Sequence, residues 1–107
     1  MEMERRRHLR LNIRFDTLYS TGATEGSGVL TEISYTGARI ENVMNPPKEG
    51  TLVRIYIFVQ PVAPFEIAGH VARVDGDGFA IHYDNFDDDL RRFVDDVAAI
   101  VGRAAPS

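Results

Sequence analysis

A chain of 107 residues with 44% apolar and 26% charged side chains has the make-up of one globular domain, which excludes a disordered or collagen-like polymer. The absence of cysteine excludes disulfides, thiolate metal sites and a thiol nucleophile. A formal net charge of −4 argues against general binding to nucleic acid or to an anionic membrane surface, because those polyanions are held by many distributed cations.

The charge is unevenly placed, starting with "MERRRHLRLNIRF". Residues 1–14 carry Arg5, Arg6, Arg7, Arg10 and Arg14 against Glu2 and Glu4, a local charge of +3. This charged beginning lacks the apolar run of a secretion signal, and no stretch approaches the roughly 20 apolar residues of a membrane span. The cytoplasm is the expected compartment. Residues 1–10 read as a flexible arginine-rich arm.

From Leu9 onward, Leu9, Leu11, Ile13 and Phe15 alternate with Arg10, Asn12 and Arg14, the period of a half-buried strand. "STGATEGSG" reads as a loop, followed by short strands at Val29–Ile33 and Ala38–Val43 on either side of "SYTG". "NPPKEG" is a turn. "TLVRIYIFVQ" is β-branched and aromatic, with Val53, Ile55, Ile57 and Val59 on one side, and "PVAP" stops it because proline cannot continue a ladder. Phe65, Ile67, Gly69 and Val71 alternate along a further strand reaching about Val74, "DGDG" is a hairpin turn, and "FAIHY" is its second strand, with His82 facing outward.

The period then changes. Leu90, Phe93, Val94, Val97, Ala98 and Val101 recur at intervals of three and four, which predicts an amphipathic helix over residues 87–102, capped by Asn85 or Asp87 and stopped at Gly102. Residues 84–96 carry Asp84, Asp87, Asp88, Asp89, Asp95 and Asp96 against Arg91 and Arg92, a local charge of −4. Aspartates in a first turn suit the positive end of a helix dipole, so this acidic pole has a structural role. Short strands with turns at close intervals predict a mainly β domain, a small barrel over residues 9–84 that closes its own edges, with the helix covering one end or side.

No constellation argues for catalysis. His8, His70 and His82 are too far apart for an HExxH-type metal motif. "DGDGF" begins like a calcium loop, but Phe86 stands where the loop needs glutamate. "GATEGSG" lacks the Lys-Ser/Thr of a P-loop, and there is no GxSxG elbow. No enzyme activity, metal or cofactor is therefore expected.

Two segments carry information, "RRRHLR" and "TEISYTGARI". Guanidinium groups are always charged, fork onto phosphate oxygens or onto guanine O6 and N7, and stack on bases; the first segment uses arginine without any lysine. In the second, Ser34 and Gly37 flank a tight connection whose amides and hydroxyl are suited to an anion, with glycine free to take positive φ.

Together the segments resemble the PilZ family: Arg6 and Arg10 form RxxxR, and "EISYTG" is similar to the family's [D/N]xSxxG. The similarity continues through "GARI", "KEGTLVRIYI", "GHVARV" and "GFAIHY". It implies a six-stranded antiparallel β-barrel with a C-terminal amphipathic helix, and cyclic di-GMP, a bacterial second messenger, as ligand. It further implies that Arg6 and Arg10 contact phosphate and guanine with Arg5 and Arg7 assisting, that Ser34 holds a guanine or phosphate, and that Gly37 keeps the turn open. Glu32 departs from the family's Asp or Asn by one methylene while keeping a carboxylate. Arg73 lies on the strand where some relatives place a base-stacking aromatic, and Arg39 offers the same stacking option. A receptor of this kind would pass its signal to a separate effector protein. The rival readings are a ligand-independent interaction module on the same fold and a small nucleic-acid-binding barrel, against which the acidic total counts.

Overall fold

The computed structural model describes residues 11–58 and 65–104. Six strands, β1 (Leu11–Ser20), β2 (Glu25–Ile33), β3 (Gly37–Glu41), β4 (Leu52–Ile57), β5 (Phe65–Asp75) and β6 (Gly78–Tyr83), precede one helix, α1 (Asp88–Ala104). The strands close into a barrel in the order β1-β2-β3-β6-β5-β4, every neighbouring pair antiparallel. Closure comes from β1 and β4, with Thr17 opposite Ile57 and Ser20 opposite Arg54. The six-stranded barrel with a C-terminal helix is the predicted architecture.

Alternating side chains fill the barrel. Leu30, Ile33, Ile40, Val53, Ile55, Ile57 and Phe79 have no exposed surface, and Tyr19 meets Phe79 edge-on with ring centroids 5.6 Å apart. Leu90, Val94 and Val97 of α1 join this core, and Phe93 stacks on Phe65 at 4.2 Å. The 3.6-residue period of α1 thus closes one region of the barrel with the face that its sequence marks as apolar.

Three bulges interrupt the ladders, and two of them shape the outer surface. Leu30 lies opposite Ile40 and Glu32 opposite Arg39, so Thr31 is an extra residue; Val71 lies opposite Ile81 and Arg73 opposite Ala80, so Ala72 is another. An extra residue reverses the in–out alternation beyond it. Buried Leu30 is therefore followed by buried Ile33 with Glu32 turned outward, and buried Val71 by exposed Arg73 with Val74 turned inward. The third bulge lies between Asn12 and Phe15 in β1.

Several boundaries differ from the sequence expectation. The predicted loop over residues 20–28 is a short turn, because Thr21 Oγ1 accepts from the Thr24 amide at 3.0 Å and Glu25–Gly28 continue as strand. Gly26 serves packing there: a Cβ on it would come within 2.6 Å of the Tyr19 hydroxyl oxygen. β3 ends at Glu41, two residues early, since Asn42 turns to φ 62°. Asp87 caps α1, its Oδ1 accepting from the Leu90 amide at 2.9 Å. The helix passes through Gly102, whose cost in a helix interior is only about 1 kcal/mol.

Candidate ligand-binding site

The ExSxxG segment forms the end of β2, the connection and the start of β3, on the outside of the barrel. A shallow cleft of about 190 Å³ runs from Glu32, Ser34, Thr36 and Gly37 across β3 to Arg39, Arg73 and His82. Pockets that enclose a small molecule usually measure roughly 300–1,000 Å³. This cleft is smaller than that and open to solvent along one side.

The Ser34–Gly37 connection is held by its own groups. The Ser34 amide donates to the Gly37 carbonyl at 2.9 Å, while Ser34 Oγ accepts from the amides of Thr36 (3.2 Å) and Gly37 (3.3 Å). The hydroxyl and both amides that the sequence offers to an anion therefore satisfy one another, as in an ST-turn. Tyr83 adds a clamp from β6, its hydroxyl 2.9 Å from both the Ser34 and Gly37 carbonyls. Burial pushes the Tyr83 phenol well above its ordinary range, keeping it a neutral donor.

Gly37 has a different reason from the expected one. It is not among the residues with positive φ; instead, a Cβ on it would lie 2.0 Å from the Ile81 carbonyl oxygen. Glycine is required because the backbones of β3 and β6 approach closely here.

Arg39 and Arg73 meet the same carboxylate. The Arg39 guanidinium donates Nε–H to Glu41 Oε2 at 2.9 Å and Nη2–H to Asp75 Oδ1, and Arg73 Nε lies 3.4 Å from Asp75 Oδ2. Thr31, the bulge residue, also donates to Glu41 Oε2, at 3.2 Å. The Asp75 hydrogen bond, then that of Glu41, raises the Arg39 pKa, and the Arg39 hydrogen bond holds Asp75 below the usual carboxylate range. A carboxyl lowered by folding stabilises the protein above its unfolded pKa and loses that contribution as pH falls through its folded value. Asp75→Asn is accordingly expected to lower Tm at neutral pH, with the gap to the parent protein narrowing as pH falls below the ordinary carboxylate range in a pH series of thermal melts.

The turn is also tied to α1. Tyr35 Oη donates to Asp95 Oδ1 at 2.7 Å, and the Tyr35 and Tyr83 rings both pack on Phe86, which precedes the helix. Asp95 thus engages a residue inside the motif as well as contributing to the acidic pole.

Glu32, Ser34, Gly37, Arg39 and Arg73 are brought together on this face, with Arg39 locked between two carboxylates and Arg73 exposed. Arg5, Arg6, Arg7 and Arg10 lie outside the described residues. Sequence reasoning omitted Thr36 and His82 from the site; the outward direction of His82 was legible, but its place beside Gly37 depends on the β3–β6 register. Among the described residues no group of histidine and carboxylate side chains is arranged to hold a metal, and no helix is long and apolar enough to cross a membrane.

Comparisons with known proteins agree with this architecture. The profile of the PilZ domain matches residues 4–98. Among solved structures, the Bacillus subtilis inhibitor of motility (MotI/DgrA) superposes with a TM-score of 0.70 at 14% identity, over 92% of this chain and 52% of the other. The present chain thus spans about half the length of that protein. The PilZ domain of CeSA from a cellulose-synthesizing bacterium gives a TM-score of 0.65 at 15% identity, over 89% and 96% of the two chains. An uncharacterized Legionella protein gives 0.58 at 18%, over 90% and 97%. A search of curated proteins finds no match.

Proposed function

Because this chain belongs to the PilZ domain family, whose members are generally non-catalytic binding domains and cyclic di-GMP receptors, we propose that it is itself a receptor for cyclic di-GMP that relays binding to a separate effector protein. The observation that carries this reading is the convergence of Glu32, the Ser34–Gly37 turn and Arg73 on one outward cleft. Leu11, the residue after Arg10, is registered opposite Ile33, one residue from Ser34. The cleft supplies one wall; Arg6 and Arg10, with Arg5 and Arg7, supply the forked cations for two phosphates and two guanines. Ligand binding neutralises that cluster and fixes the arm, creating a surface for the effector in a cytoplasmic bacterial setting.

Glu32 is the residue on which guanine recognition turns. Its carboxylate accepts from guanine N1 and N2 hydrogens, but from one methylene further out than the family's Asp. Glu32→Asp is expected to hold or tighten the cyclic di-GMP Kd in a calorimetric titration; weaker binding would mean that the pocket is built around the longer side chain.

A second reading, the ligand-independent interaction module, is favoured by the self-satisfied Ser34 turn and the carboxylate-locked Arg39, which let the cleft stand without a ligand. Calorimetry with cyclic di-GMP, using GTP and cyclic di-AMP as controls, separates the two. A Kd at or below the low micromolar range, about −8 kcal/mol or stronger, with silent controls supports the receptor. Silence up to about 1 mM supports the module. Steeply salt-dependent retention on single-stranded nucleic acid would move the assignment to the third class.

A further inference from the structure

We propose that His82 is a ligand-contacting residue of this cleft, donating a ring N–H to a phosphate oxygen of the bound dinucleotide. The inference rests on the receptor reading above and assigns to it a residue outside both family motifs. Three side chains lining the cleft carry N–H donors: Arg39, Arg73 and His82. Arg39 is held by Glu41 and Asp75, and Arg73 by Asp75. The amides of Thr36 and Gly37 are taken by Ser34 Oγ. Among the described residues His82 has no partner, and its side chain is exposed. An anion settling on this wall meets the imidazole as a donor without a protein partner among the described residues, beside the exposed Nη groups of Arg73.

Register gives the ring its room. His82 lies directly opposite Gly37 on β3 and opposite His70 on β5. Its partner across β3 therefore carries no side chain, and the Ser34 turn ends at that partner. The charged and titratable groups around it are His70 and Arg73 on β5, Arg39 on β3, Glu32 on β2 and Asp84 just past the end of β6. His70 Nδ1 is 2.6 Å from Asp84 Oδ1, so His70 already has a partner whereas His82 has none among the described residues. A phosphate over His82 favours the imidazolium, and histidine is the side chain whose charge ordinarily changes between pH 5 and 8. Binding through His82 therefore takes up a proton.

The test is calorimetric titration of the whole chain with cyclic di-GMP at about pH 8 and about pH 6, for the parent protein, His82→Gln and His70→Gln. The parent Kd is expected to tighten about tenfold on going to the lower pH. His82→Gln keeps a neutral N–H but removes the ring, and should lose most of that gain; His70→Gln should keep it. All other groups are common to the parent and His82→Gln, so the difference between those two isolates His82. An unchanged pH response in His82→Gln, or its loss in His70→Gln instead, overturns the proposal and leaves the receptor reading intact. Absence of binding by the parent at both pH values overturns both.

Discussion

Gly37→Ala is expected to cost about 3 kcal/mol of folding stability, a fall in Tm on the order of 15 °C. The cause is geometric: the added methyl would stand 2.0 Å from the Ile81 carbonyl oxygen, a contact that no rotamer relieves because the Cβ position is fixed by one backbone and the oxygen belongs to the backbone paired with it. β3 and β6 would have to part at Gly37 and His82, one end of the pairing that holds β3 to its second neighbour. The two carbonyls gripped by Tyr83 would move with them, so the turn and the barrel seam loosen together. Urea and thermal unfolding beside Thr36→Ala, an exposed position in the same turn, measure the effect. Equal stability of the two variants would show that the seam opens without penalty, and Gly37 would then have to be explained by the ligand.

Arg6→Ala and Arg10→Ala should each weaken cyclic di-GMP binding by about 2 kcal/mol or more, roughly thirtyfold in Kd, with Tm unchanged. The described wall explains why so much falls on these residues. Arg39 is held between Glu41 and Asp75, Arg73 meets Asp75 only through Nε, and the turn amides are internally satisfied, so on the receptor reading most of the charge of two phosphates falls to the arginine segment. A guanidinium meets phosphate or the guanine edge through two parallel N–H groups, which a single ammonium cannot reproduce, so Arg6→Lys and Arg10→Lys should recover only part of the loss. Titration of each variant against the parent protein decides the matter. A parent-like binding curve from either alanine variant would remove that arginine from the site.

The parts of the fold that were readable in the chain are those where one physical rule acts alone. Strand alternation at Val53, Ile55 and Ile57 and the helical spacing of Leu90, Val94 and Val97 each state which face is buried, and those faces are buried. Elements governed by two demands at once were read less well. Gly26 and Gly28 look like loop residues, but the Tyr19 ring on one side and Ile40 and Val43 on the other require the absence of a Cβ within a strand. Gly37 invites the same error, since a glycine needed for interstrand approach cannot be told by sequence from one needed for positive φ. In the site, the motif residues could be named, whereas the tethering of Arg39 depends on β3 and the β5–β6 hairpin meeting at Asp75. Nothing within either segment announces that meeting.

The extra residues at Thr31 and Ala72 act on the barrel much as a one-letter insertion acts on a reading frame. Upstream of each, one set of positions is spelled apolar; downstream, the complementary set is, and the change of phase is what leaves a carboxylate and a guanidinium on the surface as neighbours of one turn. Pairing either residue into the regular ladder, instead of bulging it out, would transpose everything after it, sending Glu32 or Arg73 toward the interior and Ile33 or Val74 toward water. Two such punctuation marks, on strands far apart in the chain, keep the text of the outer face distinct from that of the core.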